Sequence, residues 1–301
     1  MYTRYNENTM DKLELNALGK LNLGLDILGQ MENGYHEVRM VMQTVYLYDR
    51  VLLEKTEGDE IQIRSNLAYL PNNENNIAYK AAAILKEEFH IKGGIRITLE
   101  KHIPVAAGMA GGSADAAAVL FGMNRMYHLR LSEEALKERG VKLGADVPYC
   151  IMRGSVLAEG IGEVLTPLPP CPRCYILIAK PPLSASTEKV YARYDALEHV
   201  DHPDLERVIR GLEQSDIREV AAGMGNVLEQ VMIPEYPVIG EIKEMMLETG
   251  ALGAMMSGSG PTVFGIYKTR GAAKEGARKI KSRGLARQVY VTNVHNVRRK
   301  P

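Results

Sequence analysis

The chain has 301 residues, 46% hydrophobic and 25% charged, and its 37 Lys and Arg balance 37 Asp and Glu. That length gives room for two domains and a substantial core, and a formal charge of zero supplies no global pull toward nucleic acid or an anionic membrane. Met1 to Asp11 is polar, without the apolar run of a signal peptide, and no stretch nears membrane-spanning length, so a cytoplasmic setting is expected.

In chain order, Leu13 to Leu28 reads as an extended apolar segment. Within it, Ala17-Leu18-Gly19-Lys20-Leu21-Asn22-Leu23 places a Lys and an Asn two residues apart, hence on one face of a strand. A Lys among apolar neighbours either meets an anion or snorkels from an edge. Glu32-Asn33-Gly34 supplies a turn, and Tyr35-His36 beside it sets an aromatic ring next to an imidazole. Val38 to Leu53 continues as a second extended stretch, and Ile61 and Ile63 mark a short strand. Asn76 is placed to cap a helix carrying Ile77, Ala81, Ile84 and Leu85 on one face.

Ile95, Ile97 and Leu99 alternate as a strand and lead into the most informative segment. This is Pro104, Val105, Ala106, Ala107, Gly108, Met109, Ala110, Gly111, Gly112, Ser113 and Ala114, with Asp115 next. Gly108, Gly111 and Gly112 remove side chains that would hold a ligand away from the backbone. A helix is expected from about Ala114 to Tyr127, with Ser113 as its cap and its first amides facing the loop. Bare amides, a helix N-terminus and a hydroxyl make a phosphate cradle. No Gly-Lys-Ser or Gly-Lys-Thr closes it, so it is not a Walker A loop.

Ser132 with Glu133 and Glu134 starts a further helix that ends near Gly140. Leu143-Gly144-Ala145-Asp146-Val147-Pro148 then offers Asp146 either as a turn residue or as a carboxylate fixed by the stiff backbone beside Pro148. Pro167 to Pro172 is the best candidate boundary and divides the chain into domains at 1–166 and 167–301. The three cysteines are Cys150, Cys171 and Cys174, too few for a disulfide framework. Cys171-Pro-Arg-Cys174 has redox or zinc spacing but lacks a second pair, and reads as two incidental thiols.

Beyond that boundary come a strand at Tyr175 to Ala179 and helices from Ser186 to about Thr249. Strands at Gly253 to Met256 and Thr262 to Tyr267 flank the small-residue turn Ser257-Gly258-Ser259-Gly260. A helix at Ala272 to Lys281 and a strand at Gln288 to Val294 close the chain. Strand, helices, strand, strand, helix, strand is the split βαβ order of a ferredoxin-like domain.

The Lys strand, the loop at 104–115, the segment at 143–148 and the turn at 257–262 occur in the order and spacing of one family. The chain resembles the GHMP kinases over about Leu15 to Val294. Gly34-Tyr35-His36-Glu37 and the segment around Asp146 resemble the branch whose alcohol acceptor is 4-(cytidine 5′-diphospho)-2-C-methyl-D-erythritol. The resemblance implies an α+β fold in two domains, the first like ribosomal protein S5 domain 2 and the second ferredoxin-like. It implies transfer of the ATP γ-phosphoryl group, with ATP arriving as its Mg2+ complex and no protein carboxylate assigned to the metal.

By the same resemblance, Asp146 is the general base. Lys20 keeps it ionised and stabilises charge at the phosphoryl group. The loop from Pro104 to Ala114 wraps the ATP phosphates. Asn22 orients the substrate, Tyr35 stacks on cytosine and His36 reads its edge. Thr187 and Tyr191 match a further family spacing, and four residues put them on one helical face.

This chain departs from the family pattern in three places. Leu18-Gly19-Lys20 stands where Pro-Ala-Lys is usual, and Ser113-Ala114 where a second hydroxyl is common. The first ten or so residues extend beyond the usual start. The rival readings are a GHMP kinase acting on mevalonate or homoserine, a non-catalytic GHMP-fold sensor, and a nucleic-acid-binding protein. Tyr35-His36 weighs against the first, Lys20 with Asp146 against the second, and the balanced charge against the third, with the basic run Arg298 to Lys300 read as a solvated terminus. The oligomeric state is not legible.

Overall fold

The computed structural model describes residues 10–32 and 34–297. The Arg298 to Lys300 run, Asn33 of the predicted turn and most of the N-terminal extension lie outside the described residues. The chain packs as two units that interleave in sequence. One holds the described residues up to Gly19 with Leu47–Ile103 and Ala110–Met152. The other holds Lys20–Tyr46, Pro104–Met109 and the chain from Arg153 onward. Two long paired strands, β1 (Lys12–Gln30) and β2 (His36–Thr56), contribute residues to both. β1 runs unbroken through Gly19, so the departure from Pro-Ala-Lys does not interrupt it.

In the first unit, β3 (Ile61–Ser65), α1 (Ile77–Glu88) and β4 (Gly94–Glu100) form a crossover, with β3 parallel to β4 in the register Ile63↔Ile97. β4 also pairs antiparallel with the end of β2, Val51 opposite Leu99. Asn76 caps α1 as expected, its side chain accepting from the Ala78 amide at 3.0 Å. α2 (Gly111–Met126), α3 (Glu133–Val141) and α4 (Asp146–Met152) complete this unit, and Ser132 caps α3 through the Ala135 amide.

The alanine run of α2 and Gly122 let that helix lie close to the strands. A Cβ on Gly122 would come within 2.4 Å of Leu53 Cδ1 and 2.8 Å of Leu15 Cδ1. Leu53, Ile95, Ile97 and Leu85 are fully buried there, and each such side chain contributes about 2 kcal/mol by leaving water.

In the second unit, the start of β2 pairs with β5 (Ser155–Glu159), Val41 opposite Leu157, and β5 pairs with β6 (Val164–Pro167). There follow β7 (Tyr175–Lys180), α5 (Thr187–Tyr194), α6 (Leu205–Glu213), α7 (Ile217–Gly223), α8 (Glu229–Glu235) and α9 (Val238–Glu248). The unit ends with β8 (Gly253–Met256), β9 (Val263–Tyr267), α10 (Arg270–Ser282) and β10 (Gln288–Asn293). The last four strands form an antiparallel sheet in the order β10-β7-β9-β8, the split βαβ arrangement expected from the sequence. Ile176, Ile178, Phe264 and Ile266 on its strands are fully buried, as are Ile239, Ile242 and Met246 on α9 and Ile280 on α10.

Candidate active site

In the second unit, three distant segments meet around Lys20. Lys20 and Asn22 alternate along β1 to the same face, and Lys20 Nζ donates to Asn22 Oδ1 at 2.7 Å. Both are buried, Lys20 to 4% exposure. The Lys20 amide donates to the Met109 carbonyl at 3.1 Å, which ties β1 to the end of the 104–109 loop. The Asn22 amide donates to Ser257 Oγ at 3.3 Å, and Ser257 Oγ donates to the Gly108 carbonyl at 3.0 Å. Asn226 holds the turn after β8 from behind, its Nδ2 donating to the Met256 and Gly258 carbonyls at 2.9 and 2.8 Å. A buried ammonium, an amide side chain and two glycine-rich backbones share one locus, which suits a phosphoryl group.

The loop itself is shaped by left-handed residues at every second position, Ala106 at φ 48°, Gly108 at 68° and Ala110 at 55°. For the two alanines this conformation is unfavourable by about 1 kcal/mol or more each, strain of the kind that persists where structure and function over-determine the backbone. Pro104, Ala107 and Met109 are buried, while Val105, Ala106 and Gly108 keep some exposure.

α2 begins earlier than the sequence suggests, and this corrects the expected cap. Its first residue is Gly111, and the cap position is Ala110, which makes no side-chain capping bond. Ser113 is inside the first turn, and Ala114 is buried behind it. Gly111 permits the early start because a Cβ there would stand 3.1 Å from Ile103 Cγ2. The first helical bond of this turn runs from the Ala114 amide to the Ala110 carbonyl at 2.9 Å. The Gly111, Gly112 and Ser113 amides thus have no partner within the helix. These amides, rather than a serine cap, are what the helix offers an anion.

Asp146 lies in the first unit as the first residue of α4, half-buried. It is therefore a helix-start carboxylate and not a loop turn residue, favoured there by the helix dipole. Pro148 follows in the first turn, where its missing amide hydrogen is tolerated.

A second cluster in the second unit gathers the remaining candidates. The His36 ring stands 4.8 Å from the Tyr191 ring, inclined at 54°, and its Nε2 is 2.6 Å from Asp195 Oδ1. Thr187, the first residue of α5, shares a hydrogen bond with Ser259 at 2.9 Å. Tyr35 is 60% exposed at the tip of the β1–β2 hairpin. An exposed tyrosine, an oriented imidazole and a second tyrosine suit a flat, polar-edged ring.

Residues without an assigned role in the sequence prove to be structural partners. Ser257 and Asn226 order the loops, Asp195 orients His36 and Ser259 meets Thr187. In the first unit, Lys101 Nζ pairs with both Asp49 and Asp115, and all three are buried. Asp49 Oδ1 also accepts from the His102 and Ile103 amides at 2.5 and 2.8 Å. The triad thus fastens the chain entering the loop to the first turns of the helix leaving it. Burial pushes the Asp115 carboxyl up to about 8, against the attraction of Lys101 and with the help of Asp49. Burial also opposes charge on Lys101, but the two carboxylates outweigh it and raise its pKa. The signal in the sequence was a single Asp inside an otherwise apolar helical run.

Cys171 and Cys174 are buried free thiols, and their mutual hydrogen bond and burial hold Cys171 well above the ordinary thiol range. Among the described residues no group of three or more His, Cys, Asp or Glu is arranged to hold a metal ion.

The lysine strand, the left-handed glycine loop and the split βαβ unit define a small-molecule kinase of the GHMP class. The sequence pattern of the GHMP kinases N terminal domain matches residues 76–154, and that of GHMP kinases C terminal matches 208–286. A 4-diphosphocytidyl-2-C-methyl-D-erythritol kinase of Lachnospira eligens is 53% identical over 94% of this chain and 98% of its own. The Clostridioides difficile protein of the same name is 48% identical over 94% and 96%. A solved 4-(cytidine 5′-diphospho)-2C-methyl-D-erythritol kinase superposes with a TM-score of 0.81 at 30% identity, over 95% of this chain and all of that one. The chain belongs to the family of 4-diphosphocytidyl-2-C-methyl-D-erythritol kinases. A homoserine kinase of Cytophaga hutchinsonii shares the fold, with a TM-score of 0.75 at 21% identity.

Proposed function

We propose that this chain transfers the γ-phosphoryl group of ATP to the 2-hydroxyl of 4-(cytidine 5′-diphospho)-2-C-methyl-D-erythritol, releasing ADP. The reaction is a step of non-mevalonate isopentenyl diphosphate biosynthesis. The observation that carries the reading is the pairing of a lysine-centred phosphate locus with a tyrosine–histidine cluster in one unit, Lys20 with Asn22 and His36 with Tyr191. A kinase for mevalonate or homoserine has no base to stack, and so has no use for the second cluster.

ATP enters as its magnesium complex, the metal travelling on the phosphates as part of the substrate. The backbone of Pro104 to Ala114 receives the phosphates, with the first α2 amides donating. Asp146 accepts the proton of the 2-hydroxyl as its oxygen bonds to the γ-phosphorus and the bond to the bridging oxygen of ADP breaks. Lys20 neutralises charge on the transferring group, since phosphoryl transfer depends on positioning and electrostatics. Asn22 orients the acceptor beside Lys20. Tyr35 and Tyr191 hold the cytosine ring, His36 reads its polar edge, and Thr187 lines the same pocket. The family's domains are taken as 1–166 and 167–301. A cytoplasmic setting, where ATP and a charged nucleotide substrate are both available, belongs to the same proposal.

Phosphorus NMR of the product tests the assigned hydroxyl. The 2-carbon bears a methyl group and no hydrogen, so a phosphomonoester there appears without coupling to a proton on the bearing carbon. A resonance split by such a proton would place the phosphate on a different hydroxyl and overturn the reading.

A further inference from the structure

The end of α5 holds the His36 ring from two sides. Tyr191 and Asp195 are four residues apart and are joined by a hydrogen bond from the Asp195 amide to the Tyr191 carbonyl at 2.9 Å. That spacing puts both on one face of the last helical turn. Tyr191 packs on the imidazole with ring centres 4.8 Å apart, and Asp195 Oδ1 stands 2.6 Å from its Nε2. The imidazole is 11% exposed and the carboxylate 39%.

The helix itself gives no reason for an acid at position 195. Asp195 is the C-cap of α5, where the helix dipole disfavours a negative charge. A part-exposed ion pair adds little to stability, so stability alone is a poor account of the pair. Its chemical consequence is sharper. A carboxylate can only accept, so Asp195 draws the imidazole proton to Nε2 and leaves Nδ1 with its lone pair. Nδ1 makes no hydrogen bond among the described residues. It is not one of their unpartnered buried atoms either, so a ligand can reach it.

A bare ring nitrogen distinguishes the two pyrimidines. Cytosine carries an exocyclic N4 amine, a donor, where uracil carries the O4 carbonyl, an acceptor. Nδ1 accepts from the amine, whereas against O4 two lone pairs face each other with no hydrogen between them.

We propose that Asp195 is a positioning residue that makes the site select cytosine over uracil, by keeping the His36 proton on Nε2 so that Nδ1 accepts from the N4 amine. The inference rests on the proposed cytidyl acceptor, and Lys20 and Asp146 take no part in it. Asp195 touches neither the base nor the reacting atoms and acts through His36 alone.

Steady-state kinetics of the full chain with 4-(cytidine 5′-diphospho)-2-C-methyl-D-erythritol and its uridine counterpart test the assignment. The wild type should favour the cytidyl substrate in kcat/KM by at least about a hundredfold. Asp195→Asn keeps the shape, but its amide can either accept from Nε2–H or donate to a bare Nε2, so both tautomers become accessible. Its preference for cytosine should fall at least about tenfold, through KM for the cytidyl substrate, with kcat and KM for ATP near the wild-type values. Nitrogen NMR of the wild type at about pH 8, without substrate, reads the tautomer independently of turnover. The His36 signals, identified by their loss in His36→Gln, should show a protonated Nε2 and a bare Nδ1. A proton on Nδ1 would overturn the proposal, as would an undiminished preference for cytosine in Asp195→Asn. No turnover of the cytidyl substrate by the wild type would instead overturn the activity on which the inference rests.

Discussion

Gly108 lies against the Ser257 backbone so closely that a Cβ on it would sit 2.0 Å from the Ser257 carbonyl oxygen. The two residues are 149 positions apart, and Ser257 Oγ closes the same contact by donating to the Gly108 carbonyl at 3.0 Å. Gly108 is also left-handed at φ 68°, so the position excludes side chains on two counts. Gly108→Ala must therefore push the loop away from the 257–260 turn. Steady-state kinetics should show kcat/KM for ATP reduced by about a hundredfold, equivalent to ~2.7 kcal/mol. Ser257→Ala removes two hydrogen bonds without a clash, and a smaller loss of about tenfold is expected.

The base-binding cluster predicts a separation between the two substrates. Tyr191 packs on His36, which Asp195 holds at 2.6 Å. Tyr191→Ala removes one stacking face and should raise KM for the cytidyl substrate about fivefold, in line with ~1 kcal/mol for an aromatic contact. KM for ATP should be unaffected. A matched rise in both constants would instead mean that Tyr191 supports the fold at large.

The buried triad predicts a pH-dependent stability that one conservative substitution removes. The Asp115 pKa is raised in the folded protein to about 8 from an ordinary value of 3.8. The folded state therefore binds this proton more tightly than the unfolded chain does. The resulting stability is full below about pH 4 and is lost as pH rises through 8. Thermal melts of the wild type and Asp115→Asn across that range should diverge, the wild type losing on the order of a few kcal/mol relative to the variant toward pH 8. Lys101→Ala leaves the buried acids Asp49 and Asp115 without their cation and should destabilise by about 3–5 kcal/mol.

Local signals in the sequence located most elements, and the long-range partnerships were the part left hidden. Alternation at Ile95, Ile97 and Leu99 marks β4, and Asn76 and Ser132 mark helix starts, because each signal acts within a few residues. Lys20 and Asn22 were expected on one face, and their 2.7 Å hydrogen bond agrees. Ser113 misled because the start of α2 is decided by space beside Ile103, a tertiary fact that Gly111 alone does not announce. Asp195 acquires its place from His36, 159 residues away, and Asp49 from Lys101, 52 residues away. No periodicity or capping rule reaches such distances.

The most direct test of the proposed activity is ATP turnover by the purified chain with 4-(cytidine 5′-diphospho)-2-C-methyl-D-erythritol, mevalonate and homoserine, with Asp146→Asn assayed in parallel. ADP should form with the cytidyl substrate alone, and Asp146→Asn should lower kcat by at least about a hundredfold while the KM values stay near those of the wild type. Turnover of mevalonate or homoserine with none of the cytidyl substrate would contradict the assigned acceptor. Full activity in Asp146→Asn would contradict the assigned base.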